Sequence, residues 1–404
     1  VKVGEEFVRT EVQFIPAKLK VIDHYRETYE CRSCRKNGTL YMEKAPVPYP
    51  PVLHSLASAS TITWLIHQKF ELSIPLYRQE KEWEALGLRL SRATMSNWLL
   101  VVYRDWLIHI VHRLKLELLK QRYLHIDETH VQVLKEPGRK NTSDSYMWVY
   151  CSIRDAVNPI RYFEYQPGRS GKYPEAFLRE YEGYIHTDAY SGYNAVSGVK
   201  RCLCYTHLRR AFVDALPKDI HNSEASKPAE AILRLNQLFN IESELEALPP
   251  DQKKKERLIR EKPLLEAFWS WAEKSAIGEL PKSKLSKAFH YALNNREGFW
   301  NYLEDGNCSI SNSLAENCIR PFVIGRKNWL FSGSPKGAEA SAGIYTLVET
   351  AKANGLAPMK YIKYILSDMP GSAFLEHPEY LDDYLPSGTS CPASDLLTKS
   401  SFRI

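Results

Sequence analysis

One stretch of alternating apolar and polar residues, YLHIDETHVQV at positions 123–133, predicts a β-strand. Its β-branched and aromatic residues alternate almost regularly, and a basic helical pattern ends just before it. A regular pleat would place His125, Asp127 and Thr129 on one face of this strand and Leu124 on the other. Burying an unpaired carboxylate costs several kcal/mol. A bound cation is one way to stabilise such an acid in mid-strand.

A second strand-like stretch, GYIHTDAYSGY at positions 183–193, repeats this arrangement, with Asp188 following Tyr184 and His186. Each of the two strands thus carries an acid near the carboxyl end of its apolar run. We expect Asp127 and Asp188 to hold metal at one site.

The other strand and helix patterns predict the fold class. Strand patterns at 145–153 and 160–165 form an antiparallel meander with the first strand, a helix covers 173–181, and a short strand from Val199 runs into another helix. Strand, strand, strand, helix, strand, helix, strand is the order of a ribonuclease-H-like core. We therefore predict an α/β protein with a mixed-sheet catalytic core of this type.

Helical periodicity dominates residues 53–120. One helix is predicted to end near Leu86 and Gly87, and Ser91 to cap a second helix that runs through Leu99. This layout is typical of a helix-turn-helix, whose second helix would present polar side chains to a DNA groove. Those side chains are Arg92, Thr94, Ser96 and Asn97. An ordinary helical hairpin is the alternative.

Changes of pattern divide the chain into six predicted segments. The most charged of them is helical, which indicates a solvated bundle inserted into the catalytic domain; Lys-rich faces that clamp DNA are the alternative. The segments are a zinc-finger-like remnant (1–45), a helix-turn-helix region (46–120), the first part of the catalytic core (121–215), the helical insertion (216–300), the second part of the core (301–366) and a polar C-terminal tail (367–404).

Composition narrows the class of protein. The 404 residues are 44% hydrophobic and 25% charged, which is ordinary for globular proteins and long enough for two to four units. The formal net charge of +6 favours polyanionic partners without identifying one. No apolar run reaches the length of a membrane span and no signal peptide opens the sequence, so we expect a cytoplasmic, nucleoid-associated protein.

Eight cysteines in so long a chain are too sparse for a disulfide scaffold, and reduced thiols are expected. Cys31 and Cys34 form one C-x-x-C knuckle, whereas a tetrahedral zinc site needs four ligands. His24 is the nearby candidate for a third. Two interpretations stay open. Both thiols are free, or they form half of a zinc site whose second cysteine pair lay upstream.

Glu316 is the third acid that stands out, in the helix that Ser313 begins. Magnesium requires hard oxygen ligands, and proteins usually supply only a few carboxylates to it. Two such ions roughly 3.5–4 Å apart can activate an attacking oxygen and stabilise the leaving one at phosphorus. Two strand aspartates and one helix glutamate meet this need. However, Ser313 and Glu316 also have the spacing of a capping box, in which Glu316 would bond only the backbone.

Four segments carry a resemblance to a known family: HIDETHV, HTDAYSGY, CYTHLRRAF and the long SNSLAENCIRPFVIGRKNWLFSGSPKGAEASAGIYTLVETAKANGL. Together they resemble bacterial transposases of the insertion-sequence-66 family over about residues 15–370. The resemblance implies a ribonuclease-H-like DDE domain, with Asp127, Asp188 and Glu316 as its acids. Cys204 and His207 match the C-x-x-H element of many such enzymes.

The resemblance implies cleavage of DNA at transposon ends and joining of the freed 3′-hydroxyl to target DNA. It implies two Mg²⁺ or Mn²⁺ ions, double-stranded DNA ends and target as partners, a homo-oligomer on DNA and accessory proteins of the same element. Our hypothesis for the roles is that Asp127 bridges both ions, Asp188 holds one and Glu316 holds the other. Water attacks first and the 3′-hydroxyl attacks second.

Two departures from the family pattern stand out. Only the Cys31–Cys34 pair precedes the helical region where the family has two pairs, and Leu385-Pro386-Ser387 replaces the usual Leu-Pro-Trp. These departures suggest a truncated or frameshifted copy, and they bear on zinc binding and mobility rather than on the three acids.

Basic and aromatic residues near the acids extend the predicted site. His207 would orient a phosphate or the attacking water, with a core histidine as the alternative. The predicted phosphate contacts of the catalytic core are Arg209, Arg210, Arg320, Arg326 and Lys327. Trp329 and Phe331 are expected to pack in the core, or else to stack on an unpaired base.

Two other functions remain open at this stage. One is a decayed transposase that binds DNA through residues 53–120 without cutting it, although the intact acids argue against this. The other is a ribonuclease-H-like nuclease that hydrolyses DNA and never joins strands.

Overall fold

The N-terminal end of the chain forms a small hairpin around its two cysteines. The computed structural model describes residues 3–13, 17–217 and 226–387. Strands β1 (Thr28–Glu30) and β2 (Met42–Lys44) pair antiparallel, and helix α1 (Arg32–Lys36) lies between them. Cys31 is the residue before the helix, and backbone contacts with Ser33 and Cys34 lower the pKa of its thiol.

Four helices follow and begin the main hydrophobic core. They are α2 (Ala59–Ile66), α3 (Leu76–Ala85), α4 (Arg92–Val102) and α5 (Ile108–Leu119). π-Helical turns extend α2 through Glu71 and join α4 to α5. The turn between α3 and α4 uses Gly87 at φ +90°, which favours glycine. The Ser91 hydroxyl accepts the N–H of Thr94 at 3.1 Å, so the predicted cap begins α4.

A mixed sheet occupies the centre of the protein. Its strands are β3 (Tyr123–Val133), β4 (Asp144–Ser152), β5 (Arg161–Gln166), β6 (Gly183–Thr187) and β7 (Val199–Leu203), in the spatial order β5-β4-β3-β6-β7. β3 is antiparallel to β4 and parallel to β6, and β6 is parallel to β7. The three predicted meander strands therefore exist, each within a residue or so of its predicted ends.

The crossover elements differ in one place from the predicted order. Helix α6 (Lys172–Phe177) connects β5 to β6, as expected. Between β6 and β7 the structure has only a 3₁₀ turn, Ser191–Ala195, where the predicted order has a helix. The link is too short for more, because β7 begins at Val199. Helix α7 (Tyr205–Val213) follows β7 directly.

A second hydrophobic core lies beside the β7 edge. It contains residues of α7 and of the helices α8 (Lys227–Glu244), α10 (Lys262–Ala276), α11 (Lys284–Asn294) and α12 (Arg296–Trp300). Helix α9 (Pro250–Arg260) contacts α10 but adds no hydrophobic residue to this core. Tyr184, Cys202 and Leu203 of the sheet belong to the same cluster. The charged helical segment thus packs on the strand edge next to the candidate acids.

The chain then returns to the main core. Helices α13 (Ser313–Trp329), α14 (Pro335–Ala353) and α15 (Pro358–Asp368) pack there, and a two-residue strand β8 (Phe331–Ser332) pairs with the end of β3. Hydroxyls of α14 cover the free edge of β5: Thr346 accepts the N–H of Phe163 at 2.9 Å, and Thr350 that of Arg161 at 3.1 Å.

The predicted polar tail packs in part. Phe374, Tyr384 and Leu385 are buried in the main core, and Asp382 pairs with Arg113 of α5 at 2.5 Å. Residues 388–404 lie outside the described part of the chain. None of the helices within the described ranges is long and apolar enough to cross a membrane.

Candidate active site

The parallel register of β3 and β6 relates Asp127, in the middle of β3, to Asp188, the residue that follows the end of β6. Tyr123 pairs with Tyr184 and His125 with His186, so the Tyr-x-His-x-Asp pattern of one strand lies beside that of the other. The two tyrosine rings stack at 5.6 Å and the two histidine rings at 4.2 Å. Asp127 is two residues beyond one histidine, and Asp188 is two residues beyond the other.

Asp127 is mostly surrounded by protein and other acids. Burial, followed by the negative charges of Glu128, Asp188 and Glu316, raises its pKa to about 7. Asp188 and Glu316 are therefore within electrostatic reach of the Asp127 carboxylate. A divalent cation would stabilise a carboxylate such as Asp127, whose ionisation is disfavoured by burial and by neighbouring negative charges.

Glu316 does not act in a capping box. Asn312, not Ser313, is the residue before α13, so Glu316 stands one position too late to bond the capping residue's N–H. Its Oε1 is buried without a hydrogen-bond partner among the described residues and lies 3.7 Å from Nδ1 of His207. The carboxylate therefore points toward the site, and the capping alternative is excluded.

Asn312 attaches the start of α13 to the strand that carries Asp127. Its side-chain amide donates to the carbonyl oxygen of Ile126 at 2.7 Å, and its Oδ1 lies 2.9 Å from Nδ1 of His125. Its backbone N–H donates to the sulfur of Cys204 at 3.1 Å. A single buried residue, through its side chain and its backbone N–H, thus ties together the segments that carry Asp127, Glu316 and the C-x-x-H element.

Cys204 and His207 form a polarised pair at the start of α7. Burial opposes ionisation of Cys204, but the His207 ring and the N–H of Asn312 outweigh it and lower the pKa of the thiol. The side chain of Cys204 in turn raises the pKa of His207, although burial of the ring acts to lower it. The negative charges of Glu316 and Asp188 raise this pKa further. His207 faces the acids rather than the hydrophobic core.

A cleft of about 370 Å³ opens beside Asp188 and His207. Arg169 and Arg210 line it, and so does Tyr291 of α11, whose hydroxyl is buried without a hydrogen-bond partner in the described chain. Two guanidinium groups and a phenol beside the acids suit a phosphate-bearing substrate.

Three residues of this site were missed from the sequence. Arg169 pairs with Glu128 at 2.6 Å and approaches Asp188 at 4.0 Å. Arg201 donates to the carbonyl oxygens of Asp188 at 2.6 Å and Tyr190 at 2.8 Å, which holds the turn after β6. Tyr291 comes from the inserted helices. No local pattern marks them, because their partners are far away in sequence or in irregular turns.

The five residues predicted to contact phosphate differ in exposure and in whether their side chains already have a hydrogen-bond partner. Arg210, Arg320 and Lys327 are exposed. Arg209 bonds Asn236 of α8 at 2.7 Å, and Arg326 donates to the hydroxyl of Thr129 at 3.0 Å. The first three are therefore the better candidates for DNA contact, and all five assignments stay predictions.

The two aromatic residues after the acid helix behave differently. The ring of Trp329 packs against that of Phe322, with 5.4 Å between the ring centroids. Nζ of Lys69 lies over the Trp329 ring, 5.2 Å from its centroid. Phe331 is 45% exposed, so its expected packing in the core is wrong. In α4, Arg92, Thr94 and Asn97 are exposed and Ser96 is partly buried, which leaves a polar face available.

The described residues contain two groups of possible metal ligands. Within each group, the ligand atoms all lie within 4.8 Å of one another. One is His186, Cys202 and Cys308, and the other is Cys204, His207 and Glu316. Cys31, Cys34 and His24 do not form such a group, so the described chain shows no third zinc ligand for the knuckle.

Asp127, Asp188 and Glu316 do not form such a group among the described residues. What links the three is electrostatic, since the charges of Asp188 and Glu316 both act on the Asp127 carboxylate. The unpartnered oxygen of Glu316 and the raised pKa of Asp127 fit a divalent-cation site. Hard carboxylate oxygens suit Mg²⁺ or Mn²⁺.

Comparison with known proteins identifies the family. A family model described as "Transposase IS66 family" matches residues 54–340, well over half of the chain. The chain belongs to the IS66 transposase family. A second model, "zinc-finger binding domain of transposase IS66", matches residues 1–35. The resemblance noted from the sequence is thereby confirmed.

Relatives of this IS66 family member occur in Sinorhizobium fredii (strain NBRC 101917 / NGR234). "Uncharacterized protein y4hP" is 26% identical over 386 residues, covering 91% of this chain and 68% of the relative. "Uncharacterized protein y4qI" is 28% identical over 391 residues with the same coverage. Family membership implies transposition of the DDE type, a divalent metal and DNA as the partner.

Proposed function

We propose that this IS66 family member is a DDE transposase that cleaves DNA strands at transposon ends and joins them to target DNA. The observation that supports this most directly is the alignment of two Tyr-x-His-x-Asp strands, with Glu316 pointing to the same region. The sheet order and the helices around it also support a ribonuclease-H-like fold for the catalytic core.

Asp127, Asp188 and Glu316 are proposed as the residues that would hold two Mg²⁺ ions. When bound, the ions would supply charge neutralisation and an activated oxygen for in-line displacement at phosphorus. The protein itself positions the carboxylates that would bind these ions. Asn312 holds the Glu316 helix against β3, and Arg201 holds the Asp188 turn.

Basic residues around the acids are proposed to bind the DNA backbone. Arg210 in the cleft, with Arg320 and Lys327 exposed on α13, would neutralise phosphates on either side of the scissile bond. The raised pKa of His207 favours an imidazolium that can donate to a phosphate oxygen.

The test is nicking and strand joining of supercoiled plasmid that carries the element's own ends, with Mg²⁺ and with EDTA. We expect Asp127→Asn and Glu316→Gln to lower the nicking rate by roughly 10³-fold, since each removes a metal ligand. Asp155→Asn, an exposed acid in the β4–β5 turn, should keep wild-type activity. Wild-type rates in the two ligand variants would exclude the assignment.

The same assay separates the other two functions. Nicked product without joined product would indicate a nuclease, and retention of end DNA without nicking would indicate a binding protein only. The intact acid site favours the transposase over both.

The α3–α4 pair is proposed as the helix-turn-helix that reads the transposon ends. The exposed face of α4 and the Gly87 turn support this. Arg92→Ala or Asn97→Ala should weaken binding to end DNA by about 1–3 kcal/mol for each lost base contact. Arg154→Ala, an exposed arginine in the β4–β5 turn, is the matched charge control. Equal weakening by all three would argue against α4 as the reading helix.

A further inference from the structure

Cys204, His207 and Glu316 together have the chemistry of a transition-metal site rather than a magnesium site. Their ligand atoms all lie within 4.8 Å of one another. A thiolate and an imidazole are soft or borderline ligands that suit Zn²⁺, whereas Mg²⁺ prefers oxygen alone.

Two side-chain atoms of this group, Nδ1 of His207 and Oε1 of Glu316, are buried without a hydrogen bond among the described residues. The His207 ring also interacts with Cys204, the third member of the group. Nδ1 and Oε1 lie 3.7 Å apart, too far for a hydrogen bond between them. Leaving a buried polar atom without a hydrogen bond is destabilising. An ion between them would satisfy both atoms at once.

The spacing is close to what tetrahedral zinc requires. With Zn–N and Zn–O bonds of about 2.1 Å, two ligand atoms at the tetrahedral angle are about 3.4 Å apart. The observed 3.7 Å therefore needs a movement of only a few tenths of an ångström. The N–H of Asn312 already donates to the Cys204 sulfur at 3.1 Å, as a supporting contact to a thiolate ligand would.

The second group, His186, Cys202 and Cys308, has no ring nitrogen left to bind a metal ion. Both ring nitrogens of His186 are engaged: Nδ1 lies 3.2 Å from the carbonyl oxygen of Leu124, and Nε2 accepts the N–H of Ser309 at 2.9 Å. Cys202 and Cys308 interact with each other. His186, Cys202 and Cys308 are also all buried, whereas His207 and Glu316 are 26% and 29% exposed, which leaves an open position for a fourth ligand.

We propose that Cys204, His207 and Glu316 bind one Zn²⁺ ion, and that this ion competes with the catalytic metals for Glu316. A carboxylate held by zinc is less available to a magnesium ion. The zinc-bound protein is then the inactive form. Zinc binding stands independently of the proposed transposase activity, and only the inhibition depends on it.

Zinc binding is tested on the full chain in a Cys31→Ser/Cys34→Ser background, so that the N-terminal knuckle contributes none. We expect one tightly held zinc per chain, and a thiolate-to-metal charge-transfer band when Co²⁺ replaces it. Cys204→Ser should abolish the band and the zinc. Cys202→Ser, a buried cysteine two residues earlier on β7, should keep both.

His207→Gln changes a partly exposed residue and should also lose the zinc, which covers the case in which Cys204→Ser does not fold. A background protein that retains no zinc would overturn the proposal. Loss of zinc in Cys202→Ser with retention in Cys204→Ser would overturn it too, and would assign the ion to the other group.

Inhibition is measured as the ratio of nicking rates with and without micromolar Zn²⁺, at constant Mg²⁺. We expect a fall of at least tenfold in the Cys31→Ser/Cys34→Ser background, lessened by added Mg²⁺, and a ratio near one in Cys204→Ser. An inhibition that Mg²⁺ does not relieve would overturn the competition for Glu316. If no variant nicks DNA while zinc binding behaves as expected, the proposed activity fails and the zinc site stands.

Discussion

Replacing Asp127 by asparagine should stabilise the metal-free protein while it abolishes the proposed chemistry. The Asp127 carboxylate is mostly buried and lies among three other acids, which raises its pKa to about 7. Asparagine has nearly the same shape and no charge. The substitution therefore removes an unfavourable buried charge without opening a cavity.

The size of the effect follows from the linkage between protonation and folding. In the unfolded chain the carboxyl loses its proton near pH 3.8, whereas in the folded chain it keeps it until about pH 7. Between these values the folded state binds more protons, so the free energy of unfolding falls as the pH rises. At 1.36 kcal/mol per pH unit, the stability lost by pH 8 is ~4 kcal/mol.

The measurement is thermal unfolding in EDTA of wild type, Asp127→Asn and the exposed-site control Asp155→Asn, from about pH 5 to 8. The advantage of Asp127→Asn should grow from about 1–2 kcal/mol at the acidic end to ~4 kcal/mol at the basic end. At about 2–4 °C per kcal/mol, the largest difference is roughly 10 °C. Added Mg²⁺ should raise the unfolding temperature of wild type and control more than that of Asp127→Asn.

A difference between wild type and Asp127→Asn that does not change with pH would refute this reasoning. It would mean that Asp127 titrates alike in the folded and unfolded chains, and that the acids do not crowd one another. The control should follow the wild-type profile throughout, because its side chain is in water in both states.

Three further substitutions are tested by thermal unfolding. One is at Asn312 beside the acids, and two, at Arg257 and Gly306, are at the inserted helices. Asn312→Ala should cost about 2–4 kcal/mol, because two buried groups on β3 lose their hydrogen bonds, whereas Ser313→Ala should stay within about 0.5 kcal/mol. Arg257→Met should cost about 3–5 kcal/mol, since the partly buried carboxylate of Glu242 and three backbone carbonyl oxygens lose the guanidinium that donates to them; a neutral result would show that water replaces it. Gly306→Ala should be destabilising because a Cβ there would overlap the backbone of α9, whereas Gly333→Ala meets open space and should be nearly neutral.

Much of the local structure could be predicted from the sequence, because it depends on neighbours along the chain. The alternation in residues 123–133 predicted β3 to the residue, and Ser91 after Gly87 predicted the start of α4. The repeated Tyr-x-His-x-Asp pattern indicated two acid-bearing strands. The family could also be recognised, because the long motif around Glu316 is specific.

The role of Glu316 shows where sequence reasoning was insufficient. Its spacing from Ser313 suited both a metal ligand and a capping box, and only the placement of Asn312 before the helix decided between them. That placement depends on hydrogen bonds to β3, about 186 residues away in the chain. A local pattern carries no information about such a contact.

The sequence by itself indicated the three meander strands, the start of α4, the three candidate acids and the family of this protein. Only the tertiary structure decided that β3 and β6 pair in the register that aligns their acids, that the inserted helices bring Tyr291 to the cleft, and that Cys204, His207 and Glu316 meet. The physical reason is that propensity and periodicity act over a few residues. Register, burial and ligand geometry arise when segments distant in the chain pack against each other.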